Sequence, residues 1–242
     1  IVYKRQLPDK WRIRTPPGRG PLRVVGRGMN ATAVEATLQP SGEAAARRVV
    51  VLVRPLDALL PQEEDCPASR MTRDQPDSDE WMGDCVKLTE KAYEDEMDVI
   101  LGVMQTLETA KATELLPRLY HHGIFNGKTR DAPRTEFDAT RFGVQVWQRM
   151  TTTIETYIKQ SNVTRKQFID TLLPKIQESC AKLATLGLQH FDLHLNNVAV
   201  DLDAEGKIVS DVVFLDPASI RNSELRYRQC EGQSLVNEFD MI

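Results

Sequence analysis

The segment Leu188-Gln-His-Phe-Asp-Leu-His-Leu-Asn-Asn-Val-Ala-Val200 constrains the fold more than any other part of the chain. Between His190 and Asn197 it concentrates two histidines, an aspartate and two asparagines, and Val198 to Val200 then reads as a short strand. Asp and Asn hydrogen-bond their own backbone and favour turns, so a run of this kind forms a loop clamped between regular elements. Local turn chemistry alone would account for such a loop. A second carboxylate, Asp216, at the end of the apolar run Val212-Val-Phe-Leu215, argues for more than a turn.

The elements around this loop follow from periodicity. In the first third, Leu22 to Val25 ends in Gly-Arg-Gly, Ala33 to Leu38 follows, Pro40-Ser41-Gly42 turns the chain, and Val49 to Val53 is a β-branched apolar run. These read as a glycine-loop hairpin and a third strand. Pro61 to Glu80 is rich in Pro, Asp, Glu and Ser and reads as a solvated loop. From Trp81 to Leu107, Leu88, Ala92, Met97, Ile100, Val103, Met104 and Leu107 recur at three-to-four spacing, which predicts an amphipathic helix.

Strands are expected over Arg118 to Phe125 and Phe142 to Arg149. Thr164 is placed to cap a helix whose stripe is Phe168, Leu172, Ile176, Cys180 and Leu183, ending at Gly187 and kinked by Pro174. Val198 to Val200 and Val209 to Leu215 are expected strands joined by the turn Asp203-Ala204-Glu205-Gly206.

Composition narrows the function classes. Of the 242 residues, 41% are hydrophobic and 27% charged, ordinary values for a folded domain, and 242 residues suffice for one large domain or two lobes. The net charge of −4 argues against a nucleic-acid or anionic-membrane surface as the main partner. No apolar run reaches the length of a spanning helix, and Ile1 to Lys10 shows no signal-peptide pattern. The expectation is a cytoplasmic protein. Cys66, Cys85, Cys180 and Cys230 lack metal-ligand spacing and read as reduced structural thiols. Two Asn-x-Thr sequences, at Asn30 and Asn162, bear on function only in a secreted protein, and because such matches arise often by chance they are discounted as glycan sites.

Set side by side, these pieces resemble the protein-kinase-like superfamily. His190, Asp192, Leu193 and Asn197 match the His-x-Asp-Leu-x-x-x-Asn pattern of the kinase catalytic loop. The resemblance implies that Asp192 accepts or orients the proton of an attacking hydroxyl, and that Asn197 turns its side-chain oxygen to a metal ion. Asp216, in Leu215-Asp-Pro-Ala218, stands where the Asp-Phe-Gly aspartate chelates magnesium, which implies ATP with Mg2+ (or Mn2+) as cofactors.

Val25-Gly-Arg-Gly-Met-Asn-Ala-Thr-Ala33 is similar to the glycine-rich loop, with Gly26 and Gly28 matching, Ala31 in the third glycine's place and Ala33 in the valine's. Val51-Leu-Val-Arg54 is similar to the Val-Ala-Ile-Lys strand, and Glu96 to its partner glutamate in the following helix, with Glu94 a competing register. Trp147 to Arg149 falls where the hinge passes the adenine.

The departures matter as much. Arg54 replaces the phosphate-binding lysine, and a planar guanidinium fork is not an ammonium point charge. Pro217 replaces the switching phenylalanine, no Ala-Pro-Glu sequence follows, and His194 is closer to small-molecule kinases than to eukaryotic protein kinases.

The resemblance implies an α+β, bilobal protein-kinase-like fold. Its N-lobe, residues 1–150, would be small and β-rich with five strands and one long helix, and its C-lobe, residues 151–242, mainly helical and cut short after Asp216, with Asp240 bracing the catalytic loop. The minimal kinases of viruses and bacterial effectors are similar in this respect, which would put the protein in a host-cell cytoplasm or nucleus. The implied activity is an atypical Ser/Thr protein kinase, with a protein substrate or regulatory protein as partner. The alternatives are a pseudokinase that binds nucleotide or a partner, and a small-molecule kinase of the aminoglycoside or choline type.

Overall fold

Three β-branched or apolar stretches organise the first half of the chain in a computed structural model, which describes residues 12–14, 24–27, 31–39, 46–56, 89–126, 141–223 and 232–242. Strands β1 (Arg12–Arg14), β2 (Val24–Arg27), β3 (Thr32–Gln39), β4 (Arg47–Leu56), β5 (Leu119–Asn126) and β6 (Arg141–Gln148) form one antiparallel sheet in the order β1-β3-β4-β6-β5, with β2 also paired to β3. Successive side chains on a strand point to opposite faces. Val49, Val51 and Val53 therefore share a buried face with Ala36, Leu38, Phe142 and Val146, and Arg54 emerges on the other.

That other face receives the start of helix α1 (Glu90–Thr109). Gly143, the cross-strand partner of Arg54, lies against the Tyr93 ring. The Tyr93 hydroxyl donates to the Val144 carbonyl at 2.8 Å, and Arg141 pairs with Glu90. A Cβ built on Gly143 falls 2.6 Å from Tyr93 Cδ2 and Cε2. Gly143→Ala is therefore expected to cost about 1–3 kcal/mol by overpacking. Thermal denaturation reads this as a lower melting temperature, partly restored by Tyr93→Leu; an unchanged midpoint would mean that the ring has room to withdraw.

The second half supplies the other core. Strands β7 (Thr152–Thr153), β9 (Val198–Val200) and β10 (Val213–Phe214) make a three-stranded sheet, and β8 (Leu188–His190) pairs with β11 (Ile220–Asn222). Helix α2 (Ile154–Ser161) starts at Thr153, whose hydroxyl accepts from the Thr156 N–H. Thr164 caps α3 (Arg165–Gln167) with a reciprocal capping box to Gln167.

The chain then passes through a π-helical turn, Phe168–Leu172, into α4 (Leu173–Thr185). Pro174 sits in the first turn of α4, and the Leu173 N–H reaches back five residues to the Phe168 carbonyl. The expected kink at Pro174 is thus taken up as a wide turn one step earlier, because proline has no N–H to close an ordinary one. Helix α5 (Gly232–Asp240) adds Leu235 and Val236 to a core built on Phe168, Ile176, Leu195 and Phe214, and Phe239 stacks on Phe168 at 4.9 Å.

The described chain divides into two compact units, Ile1–Asp95 with Leu119–Gln148, and Glu96–Arg118 with Arg149–Ile242. The architecture is thus mixed helix and antiparallel sheet. Of the expected helix from Trp81, the part before Thr89 lies outside the described residues, as does the expected loop Pro61 to Glu80. The expected strand Val209 to Leu215 shrinks to Val213–Phe214.

One expectation is overturned. Cys180 is disulfide-bonded rather than a reduced thiol, with its partner outside the described residues. Spacing could not reveal this, since connectivity is set by which chains meet in space.

Candidate functional site

His190 ends β8 opposite Ile220 of β11, and its ring connects the loop to the segment that carries Asp216. Nδ1 accepts the Asp192 N–H at 3.3 Å, so Nε2 carries the proton and donates to the Leu215 carbonyl at 2.9 Å. The ring lies 5.8 Å from that of buried Phe214. Burial pushes the His190 pKa below its ordinary value, against opposing pulls from the Leu215 carbonyl, Asp216 and Asp192. A neutral imidazole is what this pair of hydrogen bonds requires.

The loop is closed by its own asparagine. Asn197 Nδ2 donates to the Asp192 carbonyl at 2.9 Å and, more distantly, to Asp192 Oδ2 at 3.4 Å. The Leu215 N–H donates to the Asn197 carbonyl at 2.8 Å and the Phe191 N–H to the Ser219 carbonyl at 2.9 Å. These two backbone bonds, with the His190–Leu215 bond, tie the loop carrying Asp192 and Asn197 to the segment that leads into and out of Asp216. His194 Nε2 stands 3.8 Å from Asp192 Oδ2.

Asp216 occupies the left-handed region at φ 50°, ψ 63°, immediately before Pro217. A non-glycine residue there is strained, and proline further restricts the residue before it. Ser219 holds the conformation: its hydroxyl donates to Asp216 Oδ2 at 2.6 Å and its N–H to the Asp216 carbonyl at 3.0 Å. The Asp216 carboxylate remains exposed. Ser219 was not among the residues that the sequence singles out, and a serine three residues past an aspartate is too common a pattern to have flagged it.

The brace on the loop comes from Glu238, not from Asp240. Both Glu238 carboxylate oxygens lie within reach of the Leu195 N–H, at 3.0 and 2.9 Å, while Asp240 pairs with Arg165 at 2.8 Å. The helical register decides this: Glu238 follows buried Leu235 by three residues, which turns it inward beside the loop.

The oxygens at this place suit a hard divalent cation, which takes carboxylate and carbonyl oxygens and few protein ligands when phosphates supply the rest. With Asn197 Nδ2 given to Asp192, its Oδ1 is the atom that can face such an ion, and Asp216 offers Oδ1 beside the Ser219-bonded Oδ2. Among the described residues there is no cluster of three or more His, Cys, Asp or Glu that could hold a metal by themselves.

The remaining candidates lie elsewhere. Arg54 is on β4 and Gly26 on β2, opposite Ala33 at a bulge, both in the first unit, whereas Glu96 on α1 belongs to the second. Gly28 lies outside the described residues. Trp147 is buried inside the ladder between Val50 and Leu119, its Nε1 donating to Gln145 Oε1 at 2.8 Å. Arg149 follows the end of β6 and donates to the Met150 carbonyl at 3.3 Å.

The His190 arrangement makes stability pH-dependent. Its folded pKa is depressed, so at pH values below about 6.5 the unfolded chain takes up a proton that the native ring resists. Stability is fully present above that pH and falls as the pH drops toward the lowered folded value. Melting temperatures taken from pH 7.5 to 5 are expected to decline, less steeply in His190→Asn; equal slopes would remove His190 as the cause.

No protein-family model and no curated protein matches the sequence. Among solved structures, vaccinia related kinase 3 is similar at a TM-score of 0.44 with 10% identity, over 88% of this chain and 48% of that one. The chain thus spans about half the length of that structure.

Proposed function

We propose that the chain is an atypical kinase of bilobal protein-kinase-like fold, transferring the γ-phosphate of ATP to a Ser/Thr hydroxyl of a protein. The observation that carries the reading is the hydrogen-bonded connection of Asp192, Asn197 and Asp216 through the Asn197 and Leu215 backbones and His190. An array of turn residues with no shared task does not need three oxygen-bearing residues tied together through backbone and His190 hydrogen bonds, with one of them strained.

In this reading Asp192 orients the acceptor hydroxyl and takes its proton, while His190 and Asn197 hold Asp192 in place. Bound Mg2+ (or Mn2+) would take Asn197 Oδ1 and Asp216 as its protein ligands, and supplies neutralisation of phosphate charge. By the family resemblance, Arg54, Glu96, Gly26 and Gly28 would be the residues that serve the phosphates, and the segment Trp147 to Arg149 the one that serves the adenine.

Arg54 in the lysine position favours a second reading, a pseudokinase that keeps nucleotide or a partner without transfer. Label transfer from radiolabelled ATP with magnesium or manganese separates the two, using protein and aminoglycoside or choline-type acceptors. Transfer is expected in the wild type and is lost in Asp216→Ala. A wild type no more active than Asp216→Ala, but with a melting temperature raised by ATP, establishes the pseudokinase. Arg54→Lys is expected to change the rate in either direction if that side chain meets phosphate, and to leave it unchanged if it does not.

A further inference from the structure

Two features of the second unit take no part in that reaction: the sequence Asn162-Val163-Thr164 and the disulfide at Cys180. Asn-x-Thr with x other than proline is the acceptor sequence for N-linked glycans. Here it forms the turn between α2 and α3. Asn162 adopts φ 49°, ψ 44° after Ser161, its N–H donating to the Ile158 carbonyl, and both Asn162 and Thr164 are exposed. A bulky polar chain leaving Asn162 would enter solvent and displace no packed side chain.

The disulfide supplies the independent observation. Paired cysteines persist in the secretory and extracellular compartments where glycan transfer occurs, and are rare in the cytosol. We infer that this domain passes through an oxidising secretory compartment and carries an N-linked glycan on Asn162. This compartment departs from the cytoplasmic setting expected from the sequence, and the experiment below decides between them.

In the transfer, Asn162 Nδ2 attacks the anomeric carbon of an oligosaccharide carried on a lipid pyrophosphate. The new C–N bond forms as the C–O bond to pyrophosphate breaks; the lipid pyrophosphate leaves with the electron pair, and the amide gives up one proton.

Both ends of the acceptor sequence also have structural tasks, and these allow folding and modification to be separated. Glycine serves the left-handed position of Asn162, so Asn162→Gly removes only the acceptor. Thr164 is the N-cap of α3. Aspartate caps as well as threonine, so Thr164→Asp keeps the cap and destroys the acceptor sequence, while Thr164→Ser keeps both.

The test takes the full-length protein from its own cells, alkylated without reduction, and reads the peptide containing Asn162 by mass spectrometry before and after peptide N-glycosidase, which leaves aspartate at a glycosylated asparagine. The three variants are made through a eukaryotic secretory pathway. The expected result is glycosidase-dependent conversion at Asn162 in the wild type and Thr164→Ser, none in Asn162→Gly or Thr164→Asp, and no alkylation of Cys180 until it is reduced. Reading the peptide keeps Asn162 distinct from the second sequence at Asn30. Unmodified Asn162 in the natural protein, or Cys180 alkylated without reduction, overturns the inference, and neither outcome touches the phosphotransfer reading.

Discussion

Asp192→Ala is expected to lower phosphoryl transfer by about 10²–10⁴-fold, the range for loss of a general base, while leaving the fold intact. The second half of that statement follows from the hydrogen bonds. Asn197 Nδ2 reaches the Asp192 backbone carbonyl at 2.9 Å, a bond that alanine retains, and the side-chain contact it would lose is the longer one at 3.4 Å. The side chain is exposed, so its removal leaves no buried group unsatisfied, and substitutions of that kind usually stay within about 0.5 kcal/mol. Asp192→Asn separates two roles. Asparagine can still accept a hydrogen bond from an acceptor hydroxyl but cannot take its proton, so a base predicts nearly the loss seen with alanine. Steady-state rates with equal melting temperatures would establish the role, and an Asn variant close to wild type in kcat would reduce Asp192 to an orienting group.

Where a pattern repeats along the chain, the sequence was readable. Val49 to Val53 alternates into the sheet core as β4, the Thr164 capping box starts α3, and Asp203 and Gly206 make the turn expected of them, Gly206 at φ +79° with Asp203 Oδ1 accepting from Glu205 and Lys207. The turn within His190 to Asn197 was readable because spacing along one short segment nearly fixes its geometry, whereas its tie to the Asp216 segment, from the Leu215 N–H to the Asn197 carbonyl, is a contact between distant residues.

What was not readable depends on partners distant in sequence. Strands β8 and β11 have three residues each, and only their pairing makes them strands. The disulfide of Cys180 and the π-turn ahead of Pro174 depend in the same way on neighbours that no local pattern names. Glu238 is the clearest case, for a glutamate on an amphipathic helix looks like any solvated acid until the helix is docked.

That docking makes Glu238 the second site of large effect. Leu195 is fully buried, and its N–H has a carboxylate as acceptor. Removing the acceptor from a buried donor costs the desolvation of that donor, about 1–3 kcal/mol, and a charged acceptor puts the loss toward the upper end. Glu238→Ala is therefore expected to lower the melting temperature and, since Leu195 follows His194 and precedes Asn197 in the same loop, to lower transfer without altering the residues that would contact substrate. Glu238→Gln keeps one carbonyl oxygen for the Leu195 N–H and should fall between the two. The order wild type, Gln, Ala in both melting temperature and rate is the signature of a brace. If Glu238→Ala matches the wild type in both, water satisfies the Leu195 N–H and the loop holds itself through Asn197 and His190 alone; if stability drops but the rate per folded molecule does not, α5 secures the core and leaves the alignment of Asp192 to those two side chains.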